Sequence, residues 1–326
     1  MINCIDIYKI KDFILKNDSF IISTHLSPDG DAIGSSVGLC DYLLKLGKNA
    51  KIINNDPTPA YLQYIDEKQY IDVYDDVKHK RIIEEADIVF ILDLNDIKRL
   101  GKIGEFYVSL NKTMIVIDHH LEPKEFANYY YKDTDIASTS EIIFDLIKLF
   151  PEDYSFITAQ ALYTGITTDT GNFAFDRTTA ETHLRVADLI KHNVQPHLIY
   201  DRINNSKDLN SLHFYGDVLK SIELFKNNSV AIMTISQDML QRYNKTENEL
   251  DGYSVAPLMI ESVKSAVTIV ETSTPNCFKL SFRAKKGYGI RNIAVKLGGG
   301  GHELAAGAKV YDTTLEEVRN SIISEF

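Results

Sequence analysis

The chain has 326 residues, 44% apolar and 25% charged, a composition that argues against wholesale disorder and, at roughly 150 residues per domain, predicts two domains. Its 35 basic and 46 acidic residues give a formal charge of −11, so it lacks the basic field of a duplex-DNA binder. Positive charge for handling phosphates must then come from a few Lys and Arg or from metal ions. Cys4, Cys40 and Cys277 are widely spaced and form no CxxC pair, which argues against a disulfide framework and against a thiolate zinc site. The first twenty residues alternate apolar and charged positions with no signal-peptide core, and no apolar run approaches the roughly 18 residues of a membrane helix. A cytoplasmic protein without a membrane partner is expected.

In chain order, residues 20–23 read as a buried strand that runs into a turn forced by Pro28 and Gly30, with a helix beginning near Asp31, amphipathic to about Leu46 and stopped by Gly47. Strands follow at 50–53, at 87–92 ending on Asp93, and at 113–117 ending on Asp118, His119 and His120. Helical patterns cover 140–150, 156–167 and 180–192, and the sequence TGITTDTGNF puts Asp169 at a polar helix end. Strands without alternation, separated by helix-length segments, predict an α/β domain: a parallel sheet with helices on both faces. The stretch INNSKDLNS is poorest in apolar residues, so the expected organisation is a domain over 1–200, a linker over 201–211 and a second domain over 212–326. There, strands at 229–235, 266–271 and 278–282 with helices at 237–242, 255–262 and 290–296 predict a smaller mixed α/β fold. The run that includes Gly299, Gly300 and Gly301, followed by His302 and an expected helix N-terminus, reads as an anion site, and Arg283 at a strand end can clamp a phosphate.

In open parallel sheets the ligand crevice lies at the carboxyl ends of the strands, where His25, Asp29, Asp31, Asp93, Asp118, His119 and His120 are expected. Each cluster alone has a plain structural explanation: a helix cap, a turn residue or a solvated loop. Two imidazoles directly after a buried strand are harder to explain by packing, and their side chains should point in different directions. Two His and four Asp with no Cys make a hard, oxygen-rich donor set suited to Mn²⁺ or Mg²⁺, with the imidazoles favouring Mn²⁺. The set is too large for one ion with open positions. It suits two ions about 3.5–4 Å apart that share a carboxylate and activate a water for attack on phosphorus.

HLSPDGDAIGS, the Asp93 strand end, Asp118-His119-His120 and TGITTDTGNF together resemble, in order, the four motifs of the DHH phosphoesterase superfamily. GGGGHELAAG with the upstream SFR resembles the DHH-associated C-terminal domain. The closest subgroup is the short, two-domain NrnA-like type, which hydrolyses short RNA oligonucleotides to mononucleotides and 3′-phosphoadenosine 5′-phosphate (pAp) to AMP.

The resemblance implies that His25, Asp29 and Asp93 hold one Mn²⁺ and that Asp31, Asp93, His119 and Asp169 hold a second, with Mg²⁺ or Co²⁺ as substitutes. Asp118 would orient the site, and His120 would contact the scissile phosphate or protonate the leaving oxygen. Arg283, Gly299, Gly300, Gly301 and His302 would grip the far end of the substrate in a cleft between the domains, and that limited room favours short oligomers. The family often reads SLRS where this chain has Ser281-Phe282-Arg283-Ala284, which removes any contact of the last hydroxyl. The expected partners are short single-stranded RNA and nucleotide phosphates, without duplex DNA, and the protein could form a homodimer. A phosphatase of pAp alone, a hydrolase of linear dinucleotides, or an idle nucleotide binder would share the same motifs. Phe173, Phe175 and Tyr288 are candidates for base stacking, with core packing as the alternative.

Overall fold

The computed structural model describes residues 2–110, 112–121, 123–247, 249–250 and 252–326. The chain forms two compact units, Met1–Ser206 and Lys207–Phe326. No helix among the described residues is long and apolar enough to cross a membrane.

The first unit contains strands β1 (Ser19–Ser23), β2 (Asn49–Asn54), β3 (Ile71–Val73), β4 (Ile88–Leu92), β5 (Thr113–Asp118) and β6 (Tyr129–Lys132). Its helices are α1 (Ile7–Lys16), α2 (Gly30–Lys45), α3 (Asp76–Glu85), α4 (Lys102–Ser109), α5 (Thr139–Ile147), α6 (Phe156–Asp169), α7 (Ala180–Ile190) and α8 (Pro196–Asn204). The strands pair in the order β3-β2-β1-β4-β5-β6, and every pairing is parallel. The chain winds outward from β1 to β3 and returns to the middle at β4, so the order reverses between β1 and β4. A crevice opens at the carboxyl ends of two strands where such a reversal occurs.

Both faces of the sheet are covered, which is why its strands show no polar alternation. Phe20, Ile22, Phe90, Leu92 and Ile115 belong to one buried cluster, while Ile21, Val89, Ile91 and Val116 belong to another. The expected α/β sheet is present. The edge strands β3 and β6 and the helices α1, α3, α4 and α8 go beyond the elements read from the sequence.

Helix α2 is not amphipathic as expected: every residue from Gly30 to Leu43 is buried. The cause is close packing against α6. A Cβ at Gly34 would lie 2.4 Å from the Ala161 carbonyl oxygen, and one at Gly38 would lie 2.6 Å from the Leu162 side chain. Gly30, Gly34 and Gly38 repeat every four residues and so share one helix face. The stretch expected as a linker is mostly helical: α8 runs to Asn204 and the next helix starts at Leu209, capped by Asp208, leaving only 205–208 irregular. These two helices bury few side chains, which accounts for the low apolar content of the segment.

The second unit adds α9 (Leu209–Lys220), β7 (Glu223–Phe225), β8 (Val230–Ile235), α10 (Gln237–Arg242), β9 (Ser265–Glu271), β10 (Phe278–Ala284), α11 (Arg291–Lys296), β11 (Gly300–Gly301), β12 (Ala305–Val310) and α12 (Leu315–Glu325). Its mixed sheet has the order β11-β12-β10-β9-β8-β7 with only the β8–β9 pair parallel. Residues expected as a helix over 255–262 form a 3-10 helix, Tyr253–Met259, with Pro257 inside it.

The glycine run corrects one expectation. No helix begins after it: it ends α11 and then forms β11, which pairs antiparallel with β12. Gly298 closes α11 in the left-handed region, with φ 78°. A Cβ at Gly299 would lie 2.0 Å from the Gly307 carbonyl oxygen, and one at Gly301 would lie 2.5 Å from the Ala306 Cα. Those two glycines let backbones approach, so close strand pairing and helix termination account for most of the run.

Candidate metal centre

The loop after β1 delivers three groups. His25 is buried, and its Nδ1–H donates to the Leu26 carbonyl at 2.8 Å, which leaves Nε2 as the atom available to a ligand. Asp29 is the N-cap of α2: its Oδ1 accepts from the backbone N–H groups of Asp31 and Ala32, both at 3.1 Å. Its Oδ2 stands 3.9 Å from His25 Nε2. Asp31, in the first turn of α2, is only 1% exposed and points inward. Two backbone donors at the start of α5, Thr139 N at 2.6 Å and Ser140 N at 2.8 Å, hold its two oxygens. The positive end of α5 favours negative charge there.

Asp93 follows β4 with φ 62°, a left-handed backbone that Asp tolerates better than most side chains. Its N–H still completes the ladder to the Ile117 carbonyl at 3.0 Å. That backbone places the carboxylate between two imidazoles: Oδ2 is 3.5 Å from His25 Nε2, and Oδ1 is 3.5 Å from His119 Nε2. Thr139 Oγ1 donates to Asp93 Oδ1 at 3.1 Å, so one threonine touches both Asp31 and Asp93.

At the end of β5 the two imidazoles diverge as the sequence suggested, with ring centres 4.7 Å apart and planes 65° apart. His119 Nε2 is 3.2 Å from Asp169 Oδ2, at the last residue of α6. His120 Nδ1–H donates to Asp118 Oδ1 at 2.7 Å. Three trios bring ligand atoms within 4.8 Å of one another: His25, Asp29 and Asp93; Asp31, His119 and Asp169; and Asp93, His119 and His120. Asp93 belongs to two of them and also lies beside the remaining trio through His119. All eight residues proposed for this domain therefore meet at the reversal between β1 and β4.

Whether a divalent cation suits this donor set can be read from its electrostatics. Burial, together with the negative charges of Asp93 and Asp169, pushes Asp31 well above the usual carboxylate range. Burial also drives Asp169 up to about 7, with Asp93 and Asp29 adding to the rise and His119 opposing it. Burial disfavours a charged His119, but its hydrogen bond to Asp93 and the charges of Asp31, Asp93 and Asp169 raise it to about 10. Asp93 falls far below the usual range against its burial, because His119 and His25 hydrogen-bond to it. Without a cation, the cluster holds protons among crowded carboxylates, and positive charge in the middle would replace them. The donor set fits divalent ions.

A pH dependence follows. Asp31 and Asp169 have raised values and must release their protons to ligate, as must His119, so metal affinity should fall as pH drops from about 10, where His119 gains its proton, through about 7, where Asp169 does. Calorimetric titration with Mn²⁺ at pH 6.5, in two buffers of different ionisation heat, should report release of at least one proton per chain. Identical heats in both buffers would contradict the protonated cluster.

Thr139 and Ser140 were not among the residues read from the sequence, although a signal was present. Ser138-Thr139-Ser140-Glu141 before an apolar run is a capping-box pattern. Ser138 Oγ accepts from Glu141 N at 3.2 Å, and Glu141 Oε2 accepts from Ala137 N at 2.9 Å. In the second unit, Arg283 lies on β10 opposite Ala305, and its Nη1 donates to the Phe282 carbonyl at 2.9 Å. His302 is exposed in the β11–β12 turn, with its N–H bonded to the Ala305 carbonyl at 2.7 Å. Both therefore stand at one end of that sheet. Phe173 packs against the core of the first unit, while Phe175 and Tyr288 are exposed.

Residues 19–166 match the DHH family, N-terminal domain, and residues 227–326 match the DHHA1 domain. The chain is 31% identical over 310 residues to the bifunctional oligoribonuclease and PAP phosphatase NrnA of Thermus thermophilus, covering 92% of this chain and 89% of that protein. It is 28% identical over 300 residues to the protein of the same name from Bacillus subtilis, covering 90% of each. An exopolyphosphatase-related protein from Bacteroides fragilis superposes with a TM-score of 0.90 at 28% identity, covering 98% of this chain and 95% of that chain.

Proposed function

Because the chain belongs to the DHH family and carries a DHHA1 domain, we propose that it is a Mn²⁺-dependent phosphoesterase that hydrolyses short RNA oligonucleotides to mononucleotides and pAp to AMP. The observation that carries the reading is Asp93, one carboxylate reaching the His25–Asp29 group with one oxygen and the His119–Asp169 group with the other. His25, Asp29 and Asp93 would hold one ion, and Asp31, Asp93, His119 and Asp169 the other. Divalent ions bound there supply positive charge to phosphoryl oxygens and lower the pKa of an attacking water.

The remaining roles fall to the chain itself. Asp118 fixes the ring of His120 through Nδ1–H, leaving Nε2 to contact the phosphate or pass a proton to the leaving oxygen. Helix α5 holds Asp31 and Asp93 in place through Thr139 and Ser140, so the ligands do not need to reorganise. In the second unit, Arg283, His302 and the exposed Gly300, flanked by Gly299 and Gly301, would bind substrate phosphate or sugar. A cytoplasmic site of action suits the three free thiols of Cys4, Cys40 and Cys277.

The test is a set of initial rates with Mn²⁺ on pAp, a 5′-phosphorylated RNA dinucleotide, a twenty-residue RNA and pyrophosphate. An Asp29→Ala, Asp31→Ala double variant controls for contaminating nucleases. Rapid turnover of pAp and the dinucleotide, slow turnover of the long RNA and a dead variant are expected. Equal rates on the dinucleotide and the long RNA would overturn the short-substrate reading, and turnover of pyrophosphate alone would move the chain to another branch of the family.

A further inference from the structure

Two of the four basic side chains near the carboxyl end of β4 are already neutralised. Lys102 pairs with Asp76, and Lys124 pairs with Asp96. Lys98 is exposed to water. Arg99 differs from all three. It lies in the 3-10 helix Ile97–Leu100 and is half-buried, yet its guanidinium takes part in no ion pair or hydrogen bond among the described residues. Its backbone is fixed at both ends: Arg99 N donates to the Asp96 carbonyl at 2.9 Å, and Leu26 N donates to the Arg99 carbonyl at 2.6 Å.

That second bond ties Arg99 to the residue next to His25, whose own Nδ1–H is held by the Leu26 carbonyl. The positive charge of Arg99 is near enough to act on the His25 imidazole. A half-buried guanidinium with no acceptor loses water contacts without replacing them, a cost that chains ordinarily avoid by pairing. Asp96, three residues before it, is taken by Lys124, and Arg99 forms an ion pair with no carboxylate among the described residues. Its five donors in a planar fork match two oxygens of a phosphate. In a chain of net charge −11, one unpaired arginine beside a phosphoryl-transfer centre has a clear electrostatic use.

We propose that Arg99 is a substrate-binding residue, its guanidinium gripping the non-bridging oxygens of a substrate phosphate on the His25 side of the centre. This rests on the phosphoesterase reading above and adds a residue that the metal-binding motifs do not contain. The site takes phosphate esters as a class, and a nucleoside without phosphate gains nothing from it.

The experiment compares full-length wild type, Arg99→Lys and Arg99→Gln by calorimetric binding of AMP and adenosine, with kcat/KM on pAp measured alongside. Arg99→Gln should weaken AMP binding and lower kcat/KM by roughly ten- to a hundred-fold, the size of a lost charge-assisted hydrogen bond. Arg99→Lys should recover part of the loss, adenosine should bind all three proteins alike, and Mn²⁺ should still bind each variant. Arg99→Gln that binds AMP and turns over pAp like the wild type would overturn the assignment, as would an equal loss for adenosine. A wild type that binds AMP in an Arg99-dependent manner but hydrolyses neither pAp nor RNA would sink the functional reading and leave the phosphate contact standing.

Discussion

Replacing Asp93 with alanine should abolish divalent-metal binding at both ligand groups and lower turnover at least about a thousand-fold, equivalent to about 4 kcal/mol of transition-state stabilisation. The size follows from its position, since removing this carboxylate takes a donor from two ion sites at once and strips His25 and His119 of their shared partner. Alanine also fits poorly at φ 62°, so Asp93→Asn is the cleaner variant. Asparagine tolerates the left-handed backbone and keeps the shape while losing the charge. Calorimetry with Mn²⁺ and rates on pAp should show both variants without function, and circular dichroism should show Asp93→Asn folded as the wild type is. Retained turnover in Asp93→Asn would mean that the bridging carboxylate is dispensable.

Gly34→Ala should destabilise the first unit by at least about 3 kcal/mol and weaken metal binding, although the site lies outside the ligand set. The added Cβ would meet the Ala161 carbonyl oxygen at 2.4 Å, Gly165 N at 2.9 Å and Gly165 Cα at 3.1 Å. All of these are backbone atoms, so the two helices must separate. Asp31 stands at the start of α2 and Asp169 at the end of α6, so the separation pulls apart two members of one candidate metal-binding trio. Gly216→Ala in α9 is the control, because its Cβ meets nothing within 4 Å; it should be neutral or stabilise by about 0.5–1 kcal/mol. Thermal unfolding with and without Mn²⁺ reads both variants. A Gly34→Ala protein as stable as wild type would remove close helix contact as the reason for the glycine.

The residues proposed as ligands were legible because each sits shortly after a strand or at a helix end, and those boundaries are marked by Pro28, Gly30 and the polar runs that follow apolar ones. The sheet class was legible for the same reason as its burial: strands such as β4 are apolar throughout because both faces are covered. Short edge strands were not. Ile71–Val73 has three residues and Tyr129–Lys132 is half-exposed, too little for a periodic signal to build up. The glycine run after α11 misled because a helix terminus and a tight β-hairpin ask for the same residue, and only the partner strand β12 distinguishes them. Arg99 carried no signal in the sequence, since nothing local marks a side chain as lacking an acceptor. Gly30, Gly34 and Gly38 did carry one in their four-residue spacing, which was not read as a helix contact.

The reversal of strand order at β1 and β4 also determines where this chain can change. Every proposed ligand lies at the carboxyl end of β1, β4 or β5 or on the helix ends packed beside them, while β3 and β6 form the margins. The amino-terminal ends of the strands are on the other side of the sheet, where Asp87 accepts from the N–H groups of Asp18 and Ser19. Loops on that side can gain or lose residues without moving a ligand atom, whereas a one-residue insertion after β1, β4 or β5 shifts the donor set directly.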